Sequence, residues 1–195
     1  MAEIRTFIAI AVDPVIITRL AGVQQQLRAA GADVGWTRPE GMHITLKFLG
    51  NVPQERMPAI GEALDAVAVR FAPFTISVEG TGGFPTVQRP RVLWAGIRAG
   101  SETLTAMAAA VDDALAALDF PRDARPFRAH LTLGRVKSPA NLSGLSALLE
   151  AHARDSFGEM TAADMLLMRS ELSPQGARYT ALHRAGFAEN IRGIE

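Results

Sequence analysis

The sequence predicts an α+β fold, antiparallel strands with flanking helices, in a single domain spanning residues 1–195. Two observations lead there. Short segments in which apolar and polar residues alternate with period two, the mark of half-buried strands, recur along the chain. Several of them adjoin across short turns, which argues for antiparallel pairing rather than a doubly wound parallel sheet. One segment, "MHITLKFLG" at residues 42–50, also returns in altered form as "AHLTLGRV" at residues 129–136.

Residues 5–12 read as a buried strand. Asp13-Pro14 then supplies the N-cap and first position of an amphipathic helix that Gly31 stops. "GWTRPE" is a turn or short edge strand ahead of "MHITLKFLG", after which Asn51 and Pro53 open a helix reaching about residue 70. "FTISVEG" and "RVLWAGI" are strands on either side of a Gly/Pro-rich loop, "GTGGFPTVQRP". That loop precedes no helix, so it is not a phosphate-cradling loop of the nucleotide-binding kind. Ser101 caps an Ala/Leu-rich helix ending before Pro121, and "RAHLTLGRV" is the next strand. A helix follows Pro139 to about His152, and "AADMLLMRSEL" and "RYTALHRAGF" close the chain as strands joined by the turn "SPQG".

Composition removes several classes of function. Twenty basic and twenty acidic side chains cancel, so a nucleic-acid partner must be held by a local patch or recognised at a small feature such as an end. The absence of cysteine excludes a disulfide framework, a thiol nucleophile and a thiolate metal site. The apolar run from Phe7 to Val12 is short for a signal peptide and is followed by Asp13-Pro14 in place of a small-residue cleavage site. No run approaches the length of a membrane-spanning helix. The expectation is a cytoplasmic protein without a membrane partner, and monomeric.

In the repeated segment His43, Thr45 and Lys47 alternate with Ile44, Leu46 and Phe48. A single strand of this kind is explained by one core face and one solvated face. The second copy changes that: His130 and Thr132 are again two apart, again flanked by apolar residues, Leu131 and Leu133. A proline and a helix follow each copy, Pro53 and Pro139 respectively. The remaining two of the four histidines, His152 and His183, have no threonine two residues on and read as structural or surface residues.

Histidine serves as proton acceptor or donor near neutral pH, so two imidazoles facing each other across a substrate provide a base for the attacking group and an acid for the leaving group. A threonine two residues along a strand points the same way and can hydrogen-bond an anionic oxygen. Two such pairs suit a tetrahedral phosphate. The rival use, a metal site, needs a third protein ligand, and neither motif contains a carboxylate. No metal and no cofactor are expected.

"HITLKFLG" together with "HLTLGRV" resembles the paired HxTx motifs of the two-histidine phosphoesterase superfamily. Within it the chain is similar to the bacterial and archaeal RNA 2′,3′-cyclic phosphodiesterases, historically called 2′-5′ RNA ligases. "RTFIAI", "RPRVLWAGI", "PFRAHLTLGRV" and "LMRSELSPQGARYTALHRAGF" extend the likeness over nearly the whole chain. The resemblance implies two pseudo-symmetric α+β lobes, each an antiparallel sheet with flanking helices, around a central cleft carrying both motifs. It implies His43 as general acid, His130 as general base, and Thr45 and Thr132 as phosphate-binding residues. Arg135 matches an arginine that assists the phosphate, although strict strand parity places it on the face opposite His130. Phe48 matches a motif phenylalanine, for which packing is the simpler explanation than base stacking, and Lys47 is expected to be solvated.

The expected substrate is RNA ending in a 2′,3′-cyclic phosphate, tRNA fragments and small cyclic nucleotides among the candidates, hydrolysed to a 2′-phosphate with a bell-shaped pH profile near neutrality. Two alternatives stay open: ATP-independent 2′-5′ ligation at the same site, and a non-catalytic RNA-binding module. Between residues 121 and 137, Arg122, Arg125, Arg128, Arg135 and Lys137 oppose one acid, Asp123, a basic stretch suited to RNA phosphates.

Overall fold

The computed structural model describes residues 2–173 and 176–188. Among these the strands are β1 (Glu3–Ala11), β2 (Val34–Trp36), β3 (His43–Pro53), β4 (Phe74–Pro85), β5 (Pro90–Ile97), β6 (His130–Val136), β7 (Ser156–Ala162), β8 (Asp164–Ser173) and β9 (Gly176–Gly186). The helices are α1 (Pro14–Arg28), α2 (Met57–Ala68), α3 (Ser101–Ala116) and α4 (Leu142–Ala151). The strands form one sheet in the order β7-β4-β5-β6-β3-β1-β8-β9, with β2 added to β6, and every pairing is antiparallel.

The α+β expectation is met, and the repeat has a spatial counterpart. The two motif strands, β3 and β6, are neighbours at the centre, and each begins a wing: β3-β1-β8-β9 on one side, β6-β5-β4-β7 on the other. Helices α2 and α3 pack on the first wing, α1 and α4 on the second. Because α1 follows β1 yet lies against β7 and α4, the chain ties the wings together through its core. That core includes Ile44 and Leu46 from β3 and Leu131 and Leu133 from β6, all at most 3% exposed. Period-two alternation then sends the histidines and threonines to the other face. Among the described residues no helix is long and apolar enough to cross a membrane.

Local chemistry behaves as read at α1, where the Asp13 side chain accepts from the Val15 amide at 2.7 Å and Pro14 opens the helix. Elsewhere the boundaries differ from the reading. β3 continues to Pro53 because its pairing with the start of β1 continues, and α2 begins only at Met57 after a 3₁₀ turn. Position Gly100, with φ of +80°, precedes α3 where Ser101 was expected to cap. Of the segment read as a Gly/Pro-rich loop, residues 80–85 are the second half of β4, and only residues 86–89 form the turn into β5. The β4 glycines permit close approach, since a Cβ at Gly82 would run into the Trp94 indole and one at Gly80 into the Ala153 carbonyl. β7 was not anticipated: it is an edge strand with only Phe157 and Ala162 buried, too little apolar alternation to announce itself. In the turn "SPQG", Pro174 and Gln175 lie outside the described residues.

Candidate active site

The motif strands meet at one ladder pair, Ile44 opposite Leu131. Antiparallel running about that pair sets His43 on the Thr132 side and Thr45 on the His130 side. All four residues are half-buried and share the face away from the helices. The two His-x-Thr pairs that are far apart in sequence therefore form one cluster.

Each imidazole has a backbone carbonyl two residues before it that favours its charged form, and for His130 that carbonyl is a hydrogen-bond partner. His130 Nδ1 lies 2.7 Å from the Arg128 oxygen, and since a carbonyl only accepts, Nδ1 carries the proton and Nε2 is left for a ligand. For His43 the Gly41 carbonyl, likewise two residues before it, favours the protonated ring. Aromatic rings surround both. Phe7 stacks on His43 with ring centroids 4.6 Å apart, and Tyr179 meets it edge-on at 5.2 Å. Phe84 meets His130 edge-on, also at 5.2 Å, and Trp94 packs beside Phe84. This burial disfavours the imidazolium. It lowers the His43 pKa to about 4, against the opposing influence of the Gly41 carbonyl. His130 is lowered as well, first by burial and further by the positive charge of Arg135, with the Arg128 carbonyl working the other way.

Arg135 reaches that position because β6 does not keep strict parity. Its pairing with β5 slips between Leu93–Gly134 and Trp94–Thr132, so Leu133 and Gly134 together occupy one position of the ladder. The bulge returns Arg135 to the face of His130 and Thr132. β3 carries the same device. Its pairing with β1 slips between Ile8–Lys47 and Ala9–Thr45. Phe48 is thereby turned to the site face, 60% exposed and 6.0 Å from Phe7, while Lys47 points into the interior at 3% exposure. Neither outcome follows the sequence reading: Phe48 is not core, and Lys47 is not solvated.

The remaining histidines pair with carboxylates away from the site, His152 with Asp155 at 2.6 Å and His183 with Asp65 at 2.8 Å. Among the described residues no three of His, Cys, Asp and Glu converge as a metal centre would require. The basic stretch is less uniform than its composition. Arg122 is taken up by Asp113 and Asp112, whereas Arg125 and Arg128 stay exposed, and the Arg128 guanidinium lies 5.7 Å over the Phe84 ring. Phe7, Tyr179, Phe84 and Trp94 escaped the sequence reading because the pairing of distant strands, rather than a local motif, brings them to the histidines.

A sheet in which two HxT motifs meet as pseudo-symmetric partners defines a two-histidine phosphoesterase. A family model described as LigT like Phosphoesterase matches residues 10–94 and 97–179, one motif in each stretch, and the chain belongs to this family. It is 39% identical over 178 residues to the RNA 2′,3′-cyclic phosphodiesterase of Archaeoglobus fulgidus, covering 91% of this chain and 97% of the relative. To the protein of the same name from Methanothermobacter thermautotrophicus it is 33% identical, covering 91% of this chain and 96% of that one. Among solved structures, TT0787 of Thermus thermophilus superposes with a TM-score of 0.78 at 29% identity, covering 95% of this chain and 99% of the other. Escherichia coli LigT complexed with 3′-AMP shares the fold, with a TM-score of 0.73 at 23% identity over 95% of this chain and 99% of that one.

Proposed function

We propose that this protein is an RNA 2′,3′-cyclic phosphodiesterase that opens terminal cyclic phosphates to 2′-phosphates by acid–base catalysis between His43 and His130. The observation that carries the reading is the meeting of the two His-x-Thr pairs across Ile44 and Leu131, with the His130 imidazole anchored on the Arg128 carbonyl. Its relatives bearing that name cover nearly the whole chain.

Water attacks phosphorus as His130 Nε2 takes its proton. The P–O3′ bond breaks on the opposite side, and His43 delivers a proton to O3′. Thr45, Thr132 and Arg135 hold the non-bridging oxygens, the guanidinium opposing the charge that builds there. Phe48, exposed on the same face, offers a platform for the terminal base. In the free protein burial keeps His43 neutral at pH 7, and the phosphate anion supplies the charge that favours its protonation in the complex. Arg125 and Arg128 face solvent and suit backbone phosphates of a longer RNA. Ligation through the same atoms requires an RNA 5′-hydroxyl to displace water at about 55 M, so hydrolysis dominates unless that end is strongly positioned.

The test is hydrolysis of an oligoribonucleotide ending in a 2′,3′-cyclic phosphate after exhaustive chelation. Undiminished hydrolysis is expected, because the histidines and threonine hydroxyls supply proton transfer and phosphate contacts themselves. Activity that vanishes with chelator and returns with zinc or manganese would make the histidines ligands and overturn the assignment.

A further inference from the structure

Lys47 is buried on the far side of β3 from the site, and the mechanism above makes no use of it. A lysine so enclosed is rare unless paired. Its ammonium lies 2.5 Å from Asp112 Oδ1 on α3, donates to the Pro121 carbonyl at 2.9 Å, and stands 3.5 Å from Asp123 Oδ2. Asp112 also accepts from the Asp123 amide at 3.2 Å. Pro121 and Asp123 begin the irregular segment, residues 121–129, that leads into β6. Near its other end the carbonyl of Arg128 fixes His130 Nδ1.

The direct ladder between the motif strands is one pair among the described residues, Ile44 with Leu131. Lys47, two residues beyond Thr45, is a second tie from the first motif strand to the segment that delivers the second histidine. We propose that Lys47 is a positioning residue that sets His130 against His43 by clamping residues 121–129 to β3 and α3. This rests on the acid–base reading above, in which the two imidazoles must stand opposite each other across phosphorus.

Stability alone does not account for the pair. Replacing a buried ion pair by apolar side chains of similar volume is often neutral or stabilising. Such a replacement cannot donate to the Pro121 carbonyl, and that bond is the one that reaches the segment before His130. The depressed Asp112 carboxyl agrees with a fixed ion pair. Burial would raise its pKa, but hydrogen bonds from Lys47 and the Asp123 amide, with the charges of Lys47 and Arg122, outweigh that.

The experiment compares Lys47→Met with the double variant Lys47→Met/Asp112→Leu. Tm, kcat and KM are measured on an oligoribonucleotide ending in a 2′,3′-cyclic phosphate, and the His130 Nδ1 proton is followed by ¹H–¹⁵N NMR. The single variant should lose both Tm and kcat, since it leaves the half-buried Asp112 carboxylate without its ammonium partner. In the double variant Tm should recover while kcat stays about 10–100-fold below wild type with KM little changed, the scale expected for a misplaced catalytic group. The His130 Nδ1 resonance should move or broaden in both. Recovery of kcat together with Tm, or an unaltered His130 resonance in the double variant, would overturn the proposal. A wild-type protein inert towards the cyclic end would instead sink the acid–base reading, and the resonance would still decide whether Lys47 governs His130.

Discussion

Phe48 and Arg135 each stand five residues beyond a motif histidine, and a bulge in each strand brings each onto that histidine's face. The pseudo-symmetry that pairs His43 with His130 and Thr45 with Thr132 therefore extends to a third position, and there the halves differ. One carries an exposed aromatic ring and the other a guanidinium. The site is symmetric in its histidines and threonines and asymmetric at the third position, which suits a substrate with a base at one end and a phosphate in the middle.

This asymmetry predicts separable defects. Phe48→Ala should raise KM by about 5–150-fold, the range of about 1–3 kcal/mol for one base stacked on an aromatic ring, and leave kcat and Tm little changed because Phe48 is 60% exposed. Phe48→Tyr should retain wild-type KM. Arg135→Ala should lower kcat by about 10²-fold or more, as removing a preorganised donor to developing charge does. Arg135→Lys should restore only part of that, lacking the planar fork. Steady-state kinetics on one oligonucleotide decide both. A KM effect at Arg135 with kcat intact would place it outside the reacting phosphate.

The bulges also mark how far the sequence was legible. The α+β class, the central strands and the two histidine–threonine pairs were readable, because alternation and repetition are local properties. The fate of residues 47, 48 and 135 was not. Parity counted along "HITLKF" and "HLTLGR" sends Lys47 to the site and Arg135 away from it, and one extra residue in each ladder reverses both. A bulge is decided by the neighbouring strand, here β1 for β3 and β5 for β6, and period-two counting cannot register it. The same holds for Phe7, Tyr179 and Phe84, which reach the imidazoles through pairings of strands remote in sequence. Edge strand β7, with little to bury, left almost no periodic signal.

For the histidines, His43→Ala and His130→Ala should each reduce turnover by about 10²–10⁴-fold, the contribution of one positioned general acid or base. Because they act as a unit, the double variant should be little worse than either single one. Thr45→Ala and Thr132→Ala should cost less, through lost phosphate hydrogen bonds. Single-turnover assays measure these losses directly, and full activity in either histidine variant would remove that residue from the mechanism.

The pH dependence should differ from that of two free imidazoles. Catalysis requires one histidine protonated and one neutral, and both are lowered in the free protein, His43 to about 4. Raising the pH above this acidic window removes the remaining imidazolium, so kcat/KM should fall towards neutral and alkaline pH rather than peak near 7. In the complex the phosphate anion favours protonation, so the alkaline limb of kcat should lie at higher pH than that of kcat/KM. The limbs report the coupled pair. Tyr179→Ala opens the edge of His43 to water and should move the kcat/KM limb upward. A profile unmoved by that substitution would show that aromatic burial does not set it.

The most direct test of the central claim is the position of phosphate in the product. A 2′,3′-cyclic phosphate can open at either ester oxygen, and in-line attack requires the water and the leaving oxygen to lie on opposite sides of phosphorus. With His130 holding the water and His43 at O3′, the P–O3′ bond breaks. An oligoribonucleotide ending in a 2′,3′-cyclic phosphate should therefore yield only the 2′-phosphate, identified by ³¹P NMR and by the survival of the end after treatment with an enzyme specific for 3′-phosphates. A 3′-phosphate product would contradict the assignment of acid and base, and an unreacted cyclic end would contradict the activity itself.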